Sequence, residues 1–71
     1  MTNRNELKAA IIRKGMNMGV LAKKIGITIG SLSNKINGHK EFRASEIERI
    51  ADVLDLNYED IGNIFFAKRV D

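Results

Sequence analysis

The sequence contains no cysteine, no proline and no tryptophan. Without cysteine, neither a disulfide nor a thiolate metal site can staple a chain of 71 residues. So small a domain must hold itself together with little buried apolar surface. The absence of proline leaves the whole length open to short helices punctuated by glycine. No apolar run approaches the roughly 20 residues of a membrane span, and no signal-peptide pattern opens the chain. The expected location is therefore the cytoplasm of a prokaryote or of a phage-infected host cell. His39 is the single histidine, and no cysteine or carboxylate cluster stands near it in sequence. Neither a metal site nor a nucleophile–base pair can be assembled, and no glycine-rich phosphate loop is present. The expectation is a protein that is not an enzyme and uses no cofactor or small-molecule ligand.

What is present is charge, unevenly spread. Residues 1–43 carry nine basic groups and two acidic ones, whereas residues 44–71 carry three basic groups and seven acidic ones. A basic front and an acidic back suit a protein with one face on a polyanion. A solvated surface with uneven charge is the plainer explanation, and charge alone does not choose between them.

Periodicity predicts an all-α domain of five short helices spanning 1–71. Asn3 with Glu6 forms a capping-box-like start. Leu7, Ala10 and Ile11 share a face, and Gly15 stops a helix over 4–14. A second helix starts near Asn17 or Met18, carries Leu21, Ala22 and Ile25, and ends at Gly26. Thr28 is placed to cap a third over 29–36, which Asn37-Gly38 breaks. The segment 38–44 reads as a loop whose Phe42 plugs the core. Ser45 with Glu48 reads as a capping box. Ile47, Ile50, Ala51 and Leu54 follow at i, i+3, i+4 and i+7, and the helix ends at Asp55 or Leu56. Asn57 with Asp60 opens the fifth helix, whose apolar face is Ile61, Ile64 and Phe65. Residues 67–71 are expected to fray.

The informative stretch runs from Leu21 to Gly38. Two helices crossing steeply through a three-residue turn need a small residue where their backbones meet, and Ala22 supplies it. The turn needs a positive φ, which Gly26 takes without steric cost. Ile25, Ile27 and Leu32 fill the wedge between the helices. On these residues, together with Asn37-Gly38, the chain resembles the Cro/repressor-type (XRE-like) helix-turn-helix family. It looks most similar to the short Cro-like regulators of phages of Gram-positive bacteria. The resemblance implies a compact five-helix, lambda-repressor-like fold, operator binding as a dimer, and no catalysis. One departure is visible. Lys35 stands where many members carry an apolar residue, and Ile36 follows one position later.

In the third helix Gly30, Ser33, Asn34 and Asn37 fall at i, i+3, i+4 and i+7, a polar stripe away from Leu32 and Ile36. Such a stripe is ordinarily a solvent face; in this motif it enters the major groove. The expected base contacts are Ile29, Gly30, Ser33 and Asn34. The Asn34 amide can bond adenine N6 and N7 together, worth about 1–3 kcal/mol of discrimination. Ser33 specifies less, because a hydroxyl can donate or accept. Gly30 costs about 1 kcal/mol against alanine, which close approach to DNA would explain as well as simple tolerance would. Ile29 shares a face with the core residues; the resemblance places it at DNA, where a thymine methyl would suit it.

The expected phosphate contacts are the helix N-terminus at Asn17, Met18 and Gly19, the cap Thr28, and Lys35, Asn37, His39, Lys40 and Arg43 around the following loop. Lys23 and Lys24 contribute long-range field only. Phe65 and Phe66 cannot both face one core. Phe65 is expected inside, and Phe66 outside as a dimer contact within the acidic half. One recognition helix gives limited affinity, so a homodimer reading half-sites ~34 Å apart is expected. The function expected is a transcriptional repressor acting by occupying a double-stranded operator. The alternative is a protein-interaction module on the same fold, of antitoxin or anti-repressor type.

Overall fold

Asn3, Asn17, Thr28 and Asn57 each place a side-chain oxygen on the amide three residues ahead, at 3.2, 2.9, 3.0 and 2.8 Å. Each satisfies a helical N–H that has no partner within its own helix, and each starts a helix. These caps open four of the five helices in the computed structural model, which describes residues 1–67. The helices are α1 (Arg4–Arg13), α2 (Met18–Ile25), α3 (Ile29–Ile36), α4 (Ala44–Leu54) and α5 (Tyr58–Phe65). Among the described residues all regular structure is helical, as the periodicity predicts, and no helix is long and apolar enough to cross a membrane. The frayed tail expected over 67–71 lies outside the described residues from Lys68 onward. Ala67 itself donates its N–H to the Met1 carbonyl at 3.1 Å, tying the two ends together.

The start of α4 differs from expectation. Ser45 and Glu48 do not form its capping box; both are exposed, and the N-cap is Arg43. An arginine side chain holds no acceptor, so the oxygen comes from Glu46, which accepts the Arg43 N–H at 2.7 Å. The frame is set two residues earlier because Glu46, not Glu48, is held in the interior. At the other end Asp55 caps α4 in the left-handed region, with φ +54°, and its carboxylate pairs with Lys14 at the end of α1.

The centre of the domain collects side chains from every helix. Leu7, Leu21, Ile25, Leu32, Ile50 and Ile64 are fully buried, each contributing about 1.5–3 kcal/mol of burial free energy. Helix α2 packs on both α3 and α4, α1 packs on α5, and α5 also meets α4. Phe42 packs against the core from the loop, edge to face with Phe65 at 5.3 Å. Phe65 is buried and Phe66 is 63% exposed. The radius of gyration, 11.1 Å, matches the ~11 Å expected of a well-packed chain of this length.

Candidate nucleic-acid interface

Helices α2 and α3 meet through Gly26, Ile27 and Thr28. Gly26 adopts φ +81°, and its N–H and that of Ile27 both donate to the Ala22 carbonyl at 3.0 Å. Ala22 is buried to 2% exposure, so only a methyl group separates α2 from its neighbours there. The turn is also held from beneath. Arg49 on α4 donates through Nη1 to the Ile25 carbonyl at 3.1 Å, capping the end of α2.

Helix α3 presents two different faces. Inward lie Leu32, Lys35 and Ile36, all buried. Outward lie Gly30, Asn34 and Asn37, all exposed, with Ser33 half-buried beside them. A Cβ built on Gly30 would meet nothing within 4 Å, so the fold itself does not require glycine at that position. Ile29 is 56% exposed, and its Cδ1 lies 3.7 Å from where a Cβ would stand on Gly19. The start of α3 therefore touches the start of α2, which brings Ile29 and Gly30 beside Asn17, Met18 and Gly19. Among the described residues no protein acceptor pairs with the Met18 and Gly19 amides, which head α2. Asn17 and Thr28 spend their side-chain oxygens on the capping bonds.

Lys35 is not where the sequence reading puts it. Expected at a phosphate, it is only 8% exposed, and its ammonium pairs with Glu46 inside the domain. Four methylenes let a lysine lie along apolar surface while its charge finds a partner, and Glu46 is that partner. Burial pushes the Glu46 carboxyl up. The hydrogen bonds from Lys35 and the Arg43 N–H, with the charges of Lys35 and Arg43, outweigh it and hold the group below its ordinary value. The pair thus fixes the inner face of α3 to the start of α4.

The loop after α3 folds back over the helix end. His39 and Lys40 donate their N–H groups to the Asn34 carbonyl at 2.9 and 3.4 Å, and Gly38 makes the bend with φ +83°. The side chains of His39, Lys40 and Arg43 are exposed. Asn37 accepts from Arg4 Nη1 at 3.2 Å and donates to Ser33 Oγ at 3.4 Å.

Three further residues act in this region without having been expected from the sequence: Arg4, Glu46 and Arg49. Glu46 had a signal, since it shares a stripe with Ile50 and Leu54 at i, i+4 and i+8. A carboxylate in an apolar stripe calls for a buried cation. Arg4 and Arg49 had none, because their partners stand 33 and 24 positions away.

Taken together, the surface joins a short, uncharged polar helix face to free helix-start amides and a basic loop. No curated protein is significantly similar to the chain in sequence. A family model described as "Protein of unknown function (DUF739)" matches residues 3–68. With nearly the whole sequence inside that match, the chain belongs to the DUF739 family.

Proposed function

We propose that this chain binds double-stranded DNA sequence-specifically, as a Cro-like helix-turn-helix regulator whose α3 enters the major groove. The observation that carries the reading is the outward face of α3. Gly30, Asn34 and Asn37 are exposed, with Ser33 half-buried beside them, and all four are short enough for close approach to base edges. Asn34 is the candidate for adenine, with an amide that can satisfy N6 and N7 together. Ile29 would meet a thymine methyl, and Gly30 would let the helix backbone come close. Phosphates would be held by the Met18 and Gly19 amides beside Asn17 and Thr28 on one side, and by Asn37, His39, Lys40 and Arg43 on the other. Lys35 has no part in this, being paired inside.

The regulator would act by occupancy, as a phage or prophage repressor in the cytoplasm. It would bind as a homodimer on a pseudo-palindromic operator, with Phe66 in the subunit contact. Selection of bound duplexes from a random pool tests the proposal. The expected result is a two-fold symmetric consensus whose affinity falls steeply with salt, with a log–log slope of about −0.9 per phosphate neutralised.

One observation favours a second reading, a protein-interaction module of antitoxin or anti-repressor type. An open groove of about 660 Å³ runs beside Phe66, with Met1, Phe42 and Ile47 in its lining. No enriched sequence and a flat salt response on any duplex would select that reading.

A further inference from the structure

A hydrogen-bonded chain runs along the outer edge of α3, and its direction is dictated by chemistry. It starts at Arg4 on α1, passes through Asn37 and ends at Ser33. A guanidinium only donates. The Asn37 amide must therefore turn its oxygen toward Arg4 and its NH2 toward Ser33. Ser33 Oγ then accepts from Asn37, one helical turn away. Among the described residues no side-chain or backbone acceptor takes the Ser33 proton. One lone pair stays free, but the proton is the group left without a partner, and Arg4 keeps the Asn37 amide from turning over to accept it.

We propose that Arg4 is a positioning residue that biases Ser33 toward donating to the base it meets. This rests on the reading that α3 enters a major groove. A free serine is indiscriminate because it can donate or accept; with the Asn37 oxygen held by Arg4, accepting from a base would leave the Ser33 proton unpaired in the interface, so donation is favoured. In the major groove guanine, adenine and thymine each offer an acceptor, whereas cytosine offers only its N4 amino group. A Ser33 biased toward donation therefore disfavours cytosine at one position of each half-site. The second Asn37 N–H remains available to a phosphate, so the relay does not compete with backbone contact.

The test repeats the duplex selection with Arg4→Ala, Arg4→Glu and Ser33→Ala. Arg4 is exposed at the first position of α1, where glutamate is compatible with the helix dipole, and thermal melting checks that each variant folds. The wild type is expected to penalise cytosine at one position roughly fivefold, the scale of a single neutral hydrogen bond. Arg4→Ala shrinks that penalty to about twofold or less, and Ser33→Ala abolishes it. Arg4→Glu reverses it. A carboxylate accepts from the Asn37 NH2, the amide turns over, and Ser33 must then donate to Asn37 and offer lone pairs to cytosine or adenine. In the free protein, Arg4→Glu also shifts the Asn37 side-chain amide resonances.

An equal loss of affinity on all sequences, with the consensus unchanged, overturns the relay and leaves Arg4 as a cation near phosphate. Failure of the wild type to enrich any sequence overturns the groove reading itself, and the relay with it.

Discussion

Helix α4 turns Glu48 and Asp52 to solvent, whereas α3 turns out Gly30, Ser33, Asn34 and Asn37 and no charge at all. The inner faces of the two helices are alike. Each buries aliphatic side chains, and each adds one member of an ion pair, Lys35 from α3 and Glu46 from α4. The difference is confined to the outside. Water is well satisfied by long charged side chains, which is how α4 meets it. Short amides and hydroxyls on a glycine-bearing helix suit a surface approached closely and read by directional hydrogen bonds. The same contrast holds at larger scale, since the basic first 43 residues carry α3 and the acidic remainder carries α4 and α5.

Breaking the shared inner contact should have the largest effect. Glu46→Ala leaves the Lys35 ammonium buried without a partner and is expected to cost roughly 3 kcal/mol in urea unfolding. Replacing both members with methionine should restore most of that loss, because an apolar pair carries no desolvation penalty. The same contact predicts a pH response. The Glu46 carboxyl is held below its ordinary value in the folded chain. Its stabilisation is therefore complete above the unfolded pKa of about 4.3 and is lost as pH falls through the folded value. Glu46→Gln should flatten that part of the acid unfolding curve; an unchanged curve would contradict the assignment.

The outer faces should separate next. Asn34→Ala is expected to lower affinity for the selected duplex by about 1–3 kcal/mol while leaving non-specific binding nearly intact. A uniform loss on every duplex would mean that Asn34 reads no base. Gly30→Ala sharpens the point, because the fold leaves open space there. It should raise thermal stability, by up to about 1 kcal/mol, yet weaken duplex binding. A variant more stable and equally tight would remove any role for close approach. The smallest effect belongs to α4: Glu48→Ala and Asp52→Ala should each stay within about 0.5 kcal/mol in stability and leave the selected consensus unchanged.

Much of the fold is legible in the sequence because it rests on local chemistry. Asn3, Asn17, Thr28 and Asn57 cap through neighbours three residues away, and Gly26 takes the positive φ its turn needs. The adjacent phenylalanines divide as geometry requires. The start of α4 was not legible. Ser45-x-x-Glu48 and Arg43-x-x-Glu46 overlap, and the choice between them is made by Lys35, a residue on another helix. The outer stripe of α3 could be drawn from helical spacing alone. The fate of Lys35 and the Arg4–Asn37 bond could not, because a local pattern shows a side chain's polarity and not the distant group that will claim it.

The central claim is met most directly by backbone amide shifts in a titration with the selected duplex. The account predicts that the largest changes fall on Met18, Gly19 and Ile29–Asn34 and diminish as salt is raised. Changes centred on Phe66 and the groove beside it, with Ser33 and Asn34 silent, would contradict it.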